Sequence, residues 1–280
     1  MLRILDAKYS KAELYTITKN IKTLSDEEQK CLLNVLKSNE TLFDGTLGRW
    51  VGKPYKIQLK KDAEPFHAKP FPVPHAYEKT LRMEIDRLVK IGVLKRVNHS
   101  EYASPSFIIP KKDKTVRFIN DFRELNKRVK RTPYPIPKIQ DMLLKLQGFT
   151  YATSLDLNMG YYHVELHPDS KKLCTLVFPW GKYEMQVLPM GLCNGPDVFQ
   201  EKMSTLFQEL DYVRTYIDDL LVTTKGDLED HLEKLDIVLR KLKRAGLKIN
   251  ANKSSFCQHE LEYLGYWITR DHITPLPKKV

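Results

Sequence analysis

Residues 216–219 read Tyr-Ile-Asp-Asp, two adjacent acids inside an apolar run. Val213, Tyr216 and Ile217 precede them; Leu220, Leu221 and Val222 follow. A strand interior does not normally hold two carboxylates, because an unpaired buried charge is strongly unfavourable. The pair therefore lies at a solvated hairpin tip or holds a cation. A dicarboxylate that holds Mg²⁺ is the core of a phosphoryl-transfer site.

Two-metal chemistry needs about three carboxylates converging from different elements. The segment Tyr151-Ala152-Thr153-Ser154-Leu155-Asp156 reads as a strand, and its alternation puts Ala152, Ser154 and Asp156 on one face. Asp156 is the natural third acid. Alone it would be an ordinary strand-end residue, and Asp218-Asp219 alone an ordinary turn pair. The three together inside apolar strands are harder to dismiss.

Lys and Arg outnumber Asp and Glu, 46 against 35, giving a net charge of +11. This suggests a polyanionic partner. Lys111, Lys112, Lys114, Arg117, Arg123, Lys127, Arg128, Lys130 and Arg131 crowd into one strand-like segment, a structured basic wall. Arg117 lies mid-strand, where a guanidinium either forks to phosphate oxygens or faces solvent. Cys31, Cys174, Cys193 and Cys257 lack zinc-ligand spacing and read as free thiols of a reducing compartment. No apolar run approaches the ~18 residues of a membrane span, and the N-terminus has no signal-peptide core.

Along the chain, residues 1–45 read as a lead-in. Ser25 and Glu28 form a capping box before a helix with Leu24, Cys31, Leu32, Val35 and Leu36 on its apolar face. That helix must dock elsewhere or fray. Prolines at 54, 65, 70, 72 and 74 mark an extended stretch. A helix fits 76–91, with Leu81, Ile85, Leu88 and Val89 on one side. Strands are expected at 106–109, 115–119 and 151–157, and a hairpin at 174–178 and 183–187 around Pro179-Trp180-Gly181-Lys182. Pro196 opens a helix carrying Val198, Phe199, Met203, Leu206, Phe207 and Leu210. A second hairpin spans 212–224, a dipole-matched helix 227–245, and a last strand pair lies near 248–250 and 261–268. This irregular alternation indicates an α+β fold with a mainly antiparallel sheet.

Seven stretches, in order, match one family: Leu42-Phe43-Asp44-Gly45; Phe107-Ile108-Ile109-Pro110-Lys111-Lys112; the run from Val116 through Asp121 and Arg123 to Asn126; Thr153-Ser154-Leu155-Asp156-Leu157; Leu188-Pro189-Met190-Gly191-Leu192; Tyr216-Ile217-Asp218-Asp219; and Tyr263-Leu264-Gly265-Tyr266. Over residues 42–280 the chain resembles the reverse transcriptases of Ty3/gypsy-type LTR retrotransposons, relatives of the retroviral enzymes. The resemblance implies a right-hand polymerase fold with an antiparallel palm sheet backed by helices. Fingers would be 46–130 and 164–194, palm 131–163 and 195–270, and 271–280 the start of a linker, with the thumb absent. It implies RNA-directed DNA polymerase activity.

Asp156, Asp218 and Asp219, with the Leu157 carbonyl, would hold two Mg²⁺ ions, Mn²⁺ substituting. Arg117 with Lys111 or Lys112 would clamp the dNTP triphosphate. Tyr161, with Tyr162 as its one-residue alternative, matches the steric gate against a ribose 2′-hydroxyl. Met190 would shape the dNTP pocket, in place of the Gln common in retroviral enzymes. Asp121, Arg123, Gly191, Tyr216, Leu264, Gly265 and Tyr266 would face the RNA or DNA primer–template. Implied partners are the protease, RNase H and integrase of a Pol polyprotein, with no membrane; implied locations are a cytoplasmic retroelement particle and the nucleus. Two other readings are a catalytically incompetent nucleic-acid-binding remnant and a metal-dependent nuclease, the latter leaving Arg117 and Tyr161 without a task.

Overall fold

The computed structural model describes residues 3–4, 11–110, 115–146, 148–157 and 159–277. The chain begins with β1 (Arg3–Ile4), α1 (Leu14–Lys19), α2 (Asp26–Ser38) and α3 (His75–Lys90). Next come β2 (Leu94–Val97), β3 (Ser104–Pro110), β4 (Thr115–Asn120), α4 (Arg123–Arg128) and α5 (Ile139–Leu144). The middle holds β5 (Tyr151–Asp156), α6 (Pro168–Lys171), β6 (Thr175–Phe178), β7 (Gly181–Met185) and α7 (Gly195–Phe207). The last part holds β8 (Val213–Tyr216), β9 (Asp219–Thr224), α8 (Leu228–Arg244) and β10 (Ser255–Gln258), then β11 (Glu260–Tyr263), β12 (Tyr266–Thr269) and β13 (Ile273–Pro275).

The chain divides into two compact units. One comprises Met1–Lys8, Arg49–Pro133 and Tyr161–Pro196; the other comprises Tyr9–Gly48, Tyr134–Gly160 and Asp197–Val280. The first unit is built on a six-stranded sheet, β1-β4-β3-β6-β7-β2. Its β1–β4 and β3–β6 pairs are parallel and the others antiparallel. The turn between β6 and β7 is only Pro179-Trp180, because Phe178 pairs with Gly181. The expected four-residue connection was longer because Gly181 and Lys182 carry no apolar signal, yet they enter the ladder. On α3, Leu81, Ile85 and Leu88 are buried, but Val89 is exposed.

The second unit carries a four-stranded antiparallel sheet, β10-β5-β9-β8, and a three-stranded one, β11-β12-β13. Their shared core holds Met142, Leu143, Phe149, Leu221, Leu261 and Tyr263. Helix α8 buries Leu228, Leu232, Leu235, Leu239 and Leu242 at helical spacing. The Asp227 side chain caps its first turn and Lys241, Lys243 and Arg244 lie at its last, which suits the helix dipole.

Residues 11–48 pack within this unit. The Ser25–Glu28 capping box forms on α2, and Leu32 and Leu36 are fully buried. Asn39 donates to Asp236 on α8 at 2.8 Å. Lys248 donates to Asp44 at 2.7 Å, and Phe43 meets Phe256 edge-on. Cys31 is exposed, and Gln29 takes its place on the buried side. Residues 248–250 make only an isolated bridge, Leu157 to Ile249. The strand that joins β5 is β10, and 261–268 folds back on itself as β11–β12.

Candidate active site

Strands β8 and β9 meet in a two-residue turn, Ile217-Asp218, with Tyr216 paired to Asp219. Ile217 has φ +55°. A left-handed conformation costs an L-residue about 1–2 kcal/mol, and a β-branched side chain suits it poorly. The turn is braced from α7. Gln200, fully buried, accepts from the Ile217 amide at 2.6 Å. Its Nε2 lies 3.2 Å from both the carbonyl and the hydroxyl of Thr215.

The third acid lies directly across the ladder: Asp156 pairs with Asp219 between β5 and β9. Opposed antiparallel residues hold their Cβ atoms about 4.5–5.5 Å apart, on the same face. The Asp156 backbone is held on both sides, its amide by Ser254 at 3.1 Å and its carbonyl by the Asn250 amide at 2.9 Å. Gly160 makes room for the group: a Cβ there would stand 3.1 Å from Asp218 Cβ and 3.1 Å from Phe199 Cζ. Tyr263 reaches the Asp219 carbonyl with its hydroxyl at 3.5 Å.

Burial raises the proton affinity of all three carboxyls, and Asp218 adds to the rise at Asp156 and Asp219. Burial, then Asp218 and Asp156, push Asp219 up to about 6. Burial also raises Asp156 and Asp218, opposed by the nearby exposed Lys253. Asp218 keeps solvent access at the tip, whereas Asp156 and Asp219 are half-buried. Among the described residues, Asp156, Asp218 and Asp219 included, no group of three or more His, Cys, Asp or Glu side chains is arranged to hold a metal ion. The donor types, three carboxylates with no ion pair to Lys or Arg among the described residues, are those a hard divalent cation takes. Leu157 is buried beside them and bridges Ile249.

The other anticipated residues of this unit gather around the same core. Tyr216, Leu264 and Tyr266 pack against it. Leu264 and Gly265 form the β11–β12 turn with φ +51° and +79°, and two positive φ values are what a tight type I′ hairpin requires.

In the first unit, Asp121 grips Arg123 with two hydrogen bonds, 2.8 and 2.7 Å, leaving the guanidinium largely exposed. Those bonds hold the Asp121 carboxyl below its usual range. Gly191, φ +93°, lies where a Cβ would approach the Asn120 carbonyl to 3.4 Å. Met190 beside it is exposed. Tyr161 is half-buried and Tyr162 buried. Arg117 stands on β4 opposite Ile109. Lys111 and Lys112 lie outside the described residues. Gln200, Gly160 and Lys253 escaped the sequence reading. Only Gln200 had a visible sign, a polar residue in register with the buried Met203 and Phe207 of α7.

A family model described as reverse transcriptase (RNA-dependent DNA polymerase) matches residues 109–268, more than half of the chain. The chain belongs to the reverse transcriptase family. This reverse transcriptase domain is 34% identical over 266 residues to the retrovirus-related Pol polyprotein from transposon opus of Drosophila melanogaster. That alignment covers 91% of the chain and 26% of the polyprotein. It is 31% identical over 231 residues to the transposon Tf2-3 polyprotein of Schizosaccharomyces pombe, covering 82% and 17%. The chain thus spans about a quarter or less of the length of these curated relatives.

Among solved structures, its fold matches the foamy viral protease-reverse transcriptase in complex with RNA/DNA hybrid, with a TM-score of 0.87 at 23% identity. That match covers 95% of this chain and 37% of the other. The family expected from the seven motifs, and the α+β polymerase fold expected with it, are both borne out.

Proposed function

We propose that this reverse transcriptase domain extends a primer 3′-hydroxyl with dNTPs on an RNA or DNA template, using two Mg²⁺ ions held by Asp156, Asp218 and Asp219. The observation that carries this reading is the Asp156–Asp219 register, with Asp218 on the adjoining turn. When bound, the divalent ions would acidify the hydroxyl and neutralise the triphosphate. The chain's own part is positioning and electrostatics. The carboxylates stand at the ends of paired strands, and with Asp219 raised to about 6 a cation competes with protons for it only near that pH and below. The Leu157 carbonyl would add a backbone oxygen.

In this reading the first unit is the fingers and the second the palm. Arg117, with Lys111 or Lys112, would fork to the triphosphate, and a guanidinium suits that task better than a point charge. Tyr161 would exclude the 2′-hydroxyl, its half-burial leaving the ring accessible where Tyr162 is not. Met190 would shape the pocket without a hydrogen bond. Arg123, oriented by Asp121, would meet template phosphate near Gly191. Tyr216, Leu264, Gly265 and Tyr266 would steady the primer end. Protease, RNase H and integrase regions of a Pol polyprotein are the proposed covalent partners.

Primer extension on a primed RNA, with and without Mg²⁺, tests this. Asp218→Asn should abolish incorporation. Undiminished extension by that variant would refute the assignment, and salt-sensitive primer–template binding without extension by the wild-type chain would favour the non-catalytic remnant.

A further inference from the structure

We propose that Gln200 is a positioning residue: its buried amide holds Ile217 in the left-handed turn that aims Asp218 and Asp219. The inference rests on the polymerase reading for its consequence, though not for the clamp itself. Three observations converge. Ile217 is a β-branched residue at φ +55°, a conformation that reverts unless its surroundings over-determine it. The contact that fixes it is short, 2.6 Å from the Ile217 nitrogen to Gln200 Oε1. Gln200 is 0% exposed, so its side-chain amide has no water as a substitute partner.

The chemistry demands an amide. Oε1 must accept from Ile217 while Nε2 donates toward Thr215 at 3.2 Å and Ser204 at 3.0 Å. A carboxylate would keep the first contact and lose the donors. A thioether of similar volume would lose all of them and leave the Ile217 amide and Thr215 carbonyl unsatisfied. Gln200 thus ties α7 to the strand and the turn on either side of Tyr216. Its hydrogen bonds among the described residues go to Ser204, Thr215 and Ile217 and not to an acid, so its effect passes through the backbone. Small displacements of reacting groups are costly, about 10²-fold in rate per ångström.

The test replaces Gln200 by Met and reads four quantities in the full chain: kcat, KM for dNTP, melting temperature, and hydrogen exchange at the Ile217 amide. The expected result is a kcat lower by about 10²-fold, with KM changed by less than about threefold and the Ile217 amide losing protection. Ile217→Gly relieves the left-handed strain, so Gln200→Met should cost less in that background than in wild type. Additive losses, an unchanged kcat, or undiminished protection at Ile217 would each overturn the inference.

Should the Met variant not fold, Gln200→Glu keeps the acceptor. It should retain Ile217 protection, and loss of protection there would count against the clamp. If the wild-type chain extends no primer, the polymerase reading fails, and exchange at Ile217 still decides the clamp.

Discussion

At the scale of single residues, the site is limited by room as much as by charge. Position 160 tolerates no side chain without moving Asp218 or Phe199, each 3.1 Å from the Cβ that alanine would add. Gly160→Ala should therefore lower single-turnover incorporation by about threefold to fivefold, as a shift of a few tenths of an ångström implies. Overpacking should destabilise by about 1–3 kcal/mol, and denaturant titration separates the two effects. His231 gives a pH signature. It is fully buried, with Nε2 at 2.8 Å from Thr153 and Nδ1 at 2.8 Å from Thr224. Burial lowers its pKa to about 4. The unfolded chain then binds the extra proton first. Stability from this group is complete above about pH 6.5 and falls as pH drops toward 4, by about 3 kcal/mol in all. Asp219, raised to about 6, acts in the opposite sense over that range. The difference between wild type and His231→Gln in urea unfolding at pH 4.5 and 7.5 isolates the histidine; equal slopes would refute its role.

At the scale of elements, β8 is an edge strand whose outer carbonyls are occupied by side chains. Gln200 donates to Thr215 and Arg214 donates to Val213 at 3.0 Å. Such occupancy blunts an edge against pairing with other strands. Helix α2 shows the opposite economy. A short amphipathic helix has no stability of its own, and this one gains it by burying Leu32 and Leu36 within the second unit. Leu36→Ala should cost about 2–5 kcal/mol, measured by urea unfolding of the whole chain. A change below about 0.5 kcal/mol would show that residues 11–48 are dispensable to the fold.

At the scale of the whole molecule, the net charge of +11 sets the expected response to salt. Primer–template affinity should fall about 10³-fold or more between 50 and 200 mM salt if six or more phosphates are contacted. A flat plot of log affinity against log salt concentration, from fluorescence anisotropy, would remove electrostatics as the main source of binding. Arg123→Ala should lessen the slope by about one phosphate contact. Length bears on this scale too, because the chain spans only part of the polyproteins it matches. Contacts from elsewhere in such a protein would add to the slope of this domain alone.

The sequence by itself determined the acids, their strands and the helices around them. Asp156 ends an alternating segment, Asp218-Asp219 interrupts an apolar one, and α8 announces itself through Leu spacing and terminal charges, all local signals that survive without neighbours. Only tertiary structure decided that Asp156 stands opposite Asp219, that Gln200 grips a turn 17 residues away, and that β10 and not 248–250 joins β5. The physical reason is common to all three. Register, hydrogen-bond partners and the space left by Gly160 depend on which residues meet across the fold, whereas propensity and periodicity report only a residue's neighbours in the chain.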